Sequence, residues 1–263
     1  MIESSANGQY KKIQKLMKQA RVRRQEQAFV VEGRKMVKEA LARRIVSRLY
    51  CVQQEVPLCE EMLRMSGNEE IPLEVICDPL FCKLSDTVTP QGILGIVTMP
   101  VYSREELCDS PEASLLFLEN IQDPGNLGTM LRTAEGAGMS GVVLSGDCVD
   151  LFNPKVVRST MGALFRIPYY ICRDMAAEMQ LLQKKGFHFY AAHLQGKRTF
   201  TEESYEGRVG ILIGNEANGL SDRVTRQADT RIKIPMEGEL ESLNAAVSAA
   251  LLMYEVHRNR KNF

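Results

Sequence analysis

Six short apolar runs dominate the second half of the chain: "SLLFLENI" (114–121), "GVVLSG" (141–146), "IPYYIC" (167–172), "FHFYAAHL" (187–194), "VGILIG" (209–214) and "TRIKIP" (230–235). Several are apolar at consecutive positions, and helical segments separate them. That pattern describes strands buried on both faces of a largely parallel sheet, and so an α/β fold. Ligands of such sheets collect at the carboxyl ends of the strands. There the sequence concentrates its Gly, Asn, Glu and Ser.

The first hundred residues read as a separate, smaller α/β domain. "AFVVEG" (28–33) has strand character, and "RKMVKEALARR" places Met36, Val37, Ala40 and Leu41 at helical spacing. "IVSRLYCV", "LEVIC" and "GILGIVTM" supply further strands, and the domain ends near Pro100. "VYSREELCDSPEA" (101–113) is polar and reads as a linker. With 263 residues, 44% of them hydrophobic, the chain can bury two cores, one for each domain. The domains expected are 1–105 and 113–263.

Charge separates the two halves. Residues 1–48 carry thirteen Lys/Arg against four Asp/Glu, a net +9 that the remainder cancels with −9. Clustered cations suit phosphate neutralisation, although a solvated basic helix face has the same composition. The seven cysteines are odd in number and lack CxxC spacing, so they read as reduced core thiols of a cytosolic protein. His188 and His193 are five apart on a strand and face opposite ways, so no metal site is expected. No stretch approaches the roughly 18 apolar residues of a membrane span. A soluble, cytoplasmic protein is expected, with no membrane partner.

Three polar loops follow the strands. "QDPGNLGTMLRTAEGAG" (122–138) leaves "SLLFLENI" with Asp123 and Pro124 as a helix start, then Leu127, Met130, Leu131 and Ala134 on one buried face. At about 100° per residue, Asn126 and Arg132 project roughly 120° apart. Read structurally, Asn126 caps the helix and Arg132 pairs with Glu135. "GAGMSG" (136–141) satisfies the GxGxxG dinucleotide pattern but follows a helix and enters a strand, the reverse of the required context, which leaves a nicotinamide enzyme a weak rival. "GNEANGLS" (214–221) follows the next strand, where Gly214 permits close backbone approach and Glu216 sits at a strand end. In the third, "MEGELESLNAAVSAALLMYE" (236–255), Leu243, Val247, Ala250, Leu251 and Tyr254 form a helical core stripe, with Ser242 as N-cap and Asn244 in the first turn.

In this order the loops resemble the three motifs of the SpoU (TrmH) family of S-adenosylmethionine-dependent RNA 2′-O-ribose methyltransferases, within the SPOUT superfamily. "NIQDPGNLGTMLRTAEGAG", "LIGNEANGLS" and "IPMEGELESLNAAVSAALLMYE" are similar to the first, second and third motifs, and "NPKVVRSTMGALFRIP" (153–168) also looks like the family. The N-terminal part, through "FVVEGRKMVKEAL" and "TPQGILGIV", resembles substrate-binding domains related to kink-turn-binding ribosomal proteins.

The resemblance implies an α/β fold: a C-terminal SPOUT α/β-knot methyltransferase domain, threaded as a trefoil knot, behind a smaller N-terminal α/β RNA-binding domain. It implies catalytic positions at Asn126, Arg132, Glu216, Ser242 and Asn244. S-adenosylmethionine would be held by Leu144, Gly146, Gly214, Ile234, Met236 and Leu243. It further implies a homodimer in which one protomer's arginine acts beside the other's cofactor. The substrate would be structured RNA, rRNA before tRNA, with Lys12, Arg21, Arg24 and Arg34 as phosphate contacts. The rival from another class is a non-catalytic RNA-binding protein with a decayed methyltransferase domain, against which the intact motif positions argue.

Overall fold

The computed structural model describes residues 1–85 and 87–261. In chain order the elements are α1 (Gly8–Lys18), α2 (Ala20–Glu26), β1 (Ala28–Glu32), α3 (Arg34–Ala42), β2 (Val46–Cys51), α4 (Val56–Ser66), β3 (Leu73–Val75), α5 (Asp78–Leu84), β4 (Ile93–Thr98), α6 (Arg104–Cys108), β5 (Ser114–Leu118), α7 (Pro124–Gly136), β6 (Gly141–Ser145), α8 (Pro154–Ser159), β7 (Tyr169–Cys172), α9 (Met175–Gln183), β8 (Phe187–Ala192), β9 (Arg198–Thr199), β10 (Arg208–Ile213), α10 (Asp222–Gln227), β11 (Thr230–Lys233) and α11 (Ala245–Lys261). They form two units, Met1–Pro100 with Asp150–Phe165, and Val101–Val149 with the chain from Arg166 onward.

In the first unit the strands order β1-β4-β2-β3, with β4 antiparallel to both β1 and β2, and β3 parallel to β2. The expected face of α3, Met36, Val37, Ala40 and Leu41, is buried. Helix α1 is capped by Asn7, whose side chain accepts from the Gln9 and Tyr10 amides, and buries Tyr10, Ile13, Leu16 and Met17. One cation of the basic segment is structural. Arg23 is 3% exposed; its Nε donates to Asp150 at 2.7 Å, and Nη1 donates to the Leu16 and Met17 carbonyls at 2.7 and 3.0 Å. It thereby satisfies the orphaned carbonyls near the C-terminal end of α1. Segment 150–165 joins this core through Phe152 and Phe165, whose ring centroids lie 4.7 and 6.4 Å from that of Phe29. Residues between β6 and β7, two strands of the second unit, thus belong physically to the first unit.

The second unit is a seven-stranded, all-parallel sheet in the order β7-β6-β5-β10-β8-β11-β9. The six apolar runs became β5, β6, β7, β8, β10 and β11; β9, two residues long, is too short to carry a pattern. Central strand β10 is flanked by aromatic side chains. A Cβ on Gly210 would lie 2.4 Å from the Phe189 ring, which packs edge-on against Phe117 at 5.1 Å between centroids.

The polar stretch 101–113 is not a plain linker. Ser103 and Glu106 form a capping box that starts α6, and Leu107 and Cys108 are buried. Leu107 lies against Gly141, while Arg104 pairs with Glu178. Two apolar residues among polar neighbours are too few to show a period, which is why the pattern missed the helix. The cysteines are free; Cys51, Cys59, Cys108 and Cys172 are buried, but Cys77 and Cys148 are half-buried and Cys82 is exposed, so the core expectation holds for four. His188 Nε2 hydrogen-bonds Thr230 Oγ1, and His193 Nδ1 accepts from the Gln195 amide. Among the described residues no metal-ligating cluster occurs, and no helix is long and apolar enough to cross a membrane.

Removing one partner of a buried ion pair costs about 3–5 kcal/mol, whereas an exposed pair is worth about 0–1 kcal/mol. Arg23→Ala should therefore lower the urea midpoint strongly, and Lys12→Ala, which breaks the exposed Lys12–Glu26 pair, should barely move it.

Candidate active site

Because β6, β5, β10, β8 and β11 run parallel, the loops that follow them emerge at one edge of the sheet. The first loop enters α7 through Asp123, whose carboxylate accepts from the Asn126 amide at 2.7 Å, with Pro124 in the first turn. Asn126 is therefore inside the helix, and its side chain is free for other partners. Its Nδ2 donates to Glu216 Oε1 at 3.1 Å and its Oδ1 accepts from Asn244 Nδ2 at 3.0 Å. Side chains 90 and 118 residues from Asn126 meet there.

The network has a direction. Asn244 Oδ1 accepts from the Ala246 and Val247 amides at 2.9 and 3.3 Å, capping α11. Its amide group must then face Asn126 Oδ1, which turns the Asn126 amide toward Glu216. Glu216 also accepts from the Gln122 and Asp123 backbone amides at 3.2 and 3.1 Å. Burial pushes its carboxyl up, but the hydrogen bonds from Asn126 and from the backbone outweigh this and hold it below the usual glutamate range. The cap is thus Asn244; Ser242 is exposed and lies outside the helix, correcting the expected N-cap. Ser and Asn are both good caps, so the two positions could not be ranked by residue type.

Gly214 makes the close approach expected of it, toward its own loop: a Cβ there would sit 2.1 Å from the Gly219 carbonyl carbon. Asn215 and Gly219 exchange backbone hydrogen bonds of 3.0 and 2.9 Å, and Gly219 takes φ +68°, closing a tight turn that presents Glu216. Leu144 is buried at the end of β6 and Gly146 is exposed just beyond it. Ile234, Met236 and Leu243 are half-buried in the loop after β11, while Leu240 of the same loop is exposed. The half-buried apolar side chains of the loop after β11 offer packing surface of the kind an adenosine needs, and Gly214 permits a close backbone approach.

Arg132 is exposed on α7 and does not join the Asn126 network. Nor does it pair with Glu135, which is held by Arg166 Nε and, at 3.0 Å, by Arg166 Nη2. Among the basic-arm candidates, Lys12 is committed to Glu26 at 2.8 Å and Arg34 to Glu55 at 2.7 Å, while Arg21 and Arg24 are exposed. Lys11, Lys15 and Lys18 line the exposed face of α1 at i, i+4 and i+7, opposite Tyr10, Ile13 and Leu16.

The stripe on α11 is inverted. Val247, Leu251 and Tyr254, expected in the core, are 48%, 38% and 51% exposed, while Ala246, Ala249, Leu252, Met253 and Val256 are buried. Both faces are apolar, and the small Ala246 and Ala249 admit the closer approach to neighbouring elements. The outward face lines a groove of about 640 Å³ together with Asn126, Thr129 and Asn244.

The depressed Glu216 carboxyl makes the loop junction sensitive to acid. A group whose pKa is lowered on folding stabilises above its unfolded value and loses that contribution as pH falls through its folded value. Wild-type protein should lose stability on acidification below the ordinary glutamate range, and Glu216→Gln should flatten that limb of the urea-midpoint profile.

Comparison with known proteins agrees with this geometry. Residues 113–254 match the SpoU rRNA Methylase family and residues 7–95 the MRM3-like substrate binding domain. The chain is 31% identical over 255 residues to the Bacillus subtilis 23S rRNA (guanosine(2553)-2′-O)-methyltransferase RlmP, covering 97% of this chain and 98% of the relative. An AdoMet-bound rRNA methyltransferase from Sinorhizobium meliloti superposes with a TM-score of 0.85 at 28% identity, covering 98% and 97% of the two chains. The SpoU methyltransferase AviRb from Streptomyces viridochromogenes, in complex with AdoMet, does so at 0.87 and 25%, covering 97% and 98%. With its family-model match spanning more than half its length and its sheet carrying the motif loops at one edge, the chain belongs to the SpoU rRNA methylase family.

Proposed function

We propose that this protein is an S-adenosylmethionine-dependent methyltransferase acting on a ribose 2′-hydroxyl of rRNA, and that it works as a cytoplasmic homodimer. The observation that carries the reading is the Asn126–Glu216–Asn244 network, which draws side chains from all three motif loops into one hydrogen-bonded chain. A decayed domain would have no reason to keep these directional partners together. The names of the relatives favour rRNA over tRNA.

S-adenosylmethionine supplies a methyl group on a positively charged sulfur, open to in-line attack by the ribose oxygen. Leu144, Gly146, Gly214, Ile234, Met236 and Leu243 would bind it, and the trefoil threading implied by the family would bring the last two loops against each other. Asn126, held by Glu216, and Asn244, held by Asn126, would orient the ribose, with Ser242 as a further hydroxyl. A guanidinium stays protonated at physiological pH and cannot serve as an ordinary base. Arg132 would fix the adjacent phosphate and favour the charge that develops on the 2′-oxygen as its proton leaves.

The homodimer reading rests on the groove. Thr129 lines it, and Arg132, three residues on, would project about 60° away at the helical 100° per residue, toward the rim. A second copy seated on Val247, Leu251 and Tyr254 would bury their exposed apolar area and could receive Arg132 beside its own network. RNA would lie along the basic arm, with Arg21 and Arg24 available to phosphates and Lys12 and Arg34 less so because of their acidic partners.

Three measurements test this reading. Arg132→Ala should abolish 2′-O-methylation of rRNA while retaining cofactor binding by titration calorimetry and the oligomeric state by light scattering; a fully active variant would overturn the role. Leu251→Asp should yield a folded monomer without activity, whereas a monomeric variant with wild-type turnover would exclude action across the interface. Co-expressing Arg132→Ala with Asn126→Ala protomers should restore part of the activity that neither shows alone.

A further inference from the structure

Strands β5 and β10 pair in parallel as far as Leu118 and Ile213, and Glu119 continues the ladder by donating its amide to the Ile213 carbonyl at 2.9 Å. Beyond this point the two chains diverge into the first and second motif loops. They are not left independent. Asn215 Nδ2 donates to the Asn120 carbonyl at 2.9 Å, so the loops are pinned where they part. Farther on, the Glu119 carboxylate accepts from the Ser221 amide at 2.8 Å and from Ser221 Oγ at 2.7 Å.

Ser221 ends the second loop and caps α10, its Oγ accepting from the Val224 amide at 3.3 Å. The second loop is therefore gripped at both ends, by its parting point at Asn215 and by Glu119 at Ser221. From its middle, Glu216 reaches back to the Gln122 and Asp123 amides and to Asn126. Each loop sends one carboxylate into the other, and each carboxylate accepts at least two hydrogen bonds there. Charge-assisted bonds of this kind are about twice as strong as neutral ones.

We propose that Glu119 is a positioning residue for methyl transfer: by clamping Ser221 it fixes the second loop so that Glu216 meets Asn126. No other carboxylate holds Ser221 among the described residues. Its role differs from that of a packing residue because its contacts with Ser221 are polar and set the path of the loop that carries Glu216. This rests on the proposed methyltransferase activity only for its kinetic consequence; the coupling between the loops stands apart from it.

The test uses the full chain and three variants, Glu119→Ala, Glu119→Asp and Glu119→Ala combined with Glu216→Gln. Misplacing a catalytic group by about 1 Å costs on the order of 10²-fold in rate. Glu119→Ala should lower kcat by about that factor with RNA affinity unchanged, and Glu119→Asp should recover part of it. Because Glu119 acts through Glu216, the double variant should be no slower than the slower single one. In amide NMR spectra, the Gln122 and Asp123 backbone signals and the Asn126 side-chain signals should shift in Glu119→Ala. Wild-type kcat in Glu119→Ala, multiplicative losses in the double variant, or unshifted Gln122, Asp123 and Asn126 signals would each overturn the proposal. If Glu119→Ala does not fold, Ser221→Thr, which keeps the α10 cap hydroxyl, and Ser221→Ala, which removes both the cap and one clamp bond, are read together by the same signals, with a shift in Ser221→Ala alone assigning the effect to that hydroxyl. Wild-type protein inactive on every RNA would refute the functional reading, while the NMR shifts would still decide the clamp.

Discussion

Parallel pairing of β5 with β10 sets Leu118 beside Ile213, and the groups of the candidate active site depend on that register. The strands lie about ninety residues apart in sequence, so this long-range contact carries a large loop-closure cost. Once it forms, Glu119, Asn120, Asn215 and Glu216 arrive at the same sheet edge, where carboxylates find backbone amides to accept from. A one-residue slip of β10 would bring Val209 or Ile211 under the Phe189 ring, where only Gly210 fits, so close packing fixes the register. The site is as well defined as the core beneath it.

The same logic separates the polar groups that serve the fold from those left for partners. Arg23 is as basic as its neighbours but lies inside, answering carbonyls of α1 and Asp150, and contributes nothing to a phosphate-binding face. Lys11, Lys15 and Lys18 point away from that core. On α11 the two apolar faces part ways: the alanine-rich face packs inward, and the bulkier Val247, Leu251 and Tyr254 line an open groove beside Asn126 and Asn244. That exposed apolar face is the surface on which the proposed second copy would seat.

Much was legible beforehand, for identifiable reasons. The six core strands announced themselves because burial on both faces demands continuous apolar runs. The start of α7 at Asp123 and Pro124 and the buried face of α3 followed from local capping and periodicity. Asn126, Glu216 and Asn244 could be singled out through family resemblance, and the fold brings those three together; Arg132 and Ser242 stand apart from them within one chain. Helix α6 was missed because its apolar content is two residues, and the cap of α11 was misplaced because Ser242 and Asn244 are equally plausible by type.

By itself the sequence determined the α/β class, the strand segments, the polar loops at strand ends and the basic character of the first 48 residues, since each is a property of local composition and period. Only the tertiary structure decided which face of α11 is buried, which cations are spent on internal partners, that residues 150–165 pack with the first unit, and that Glu119 and Glu216 cross between loops. These choices depend on distances between residues far apart in the chain. Periodicity describes one segment at a time and carries no information about which other segment its side chains will meet.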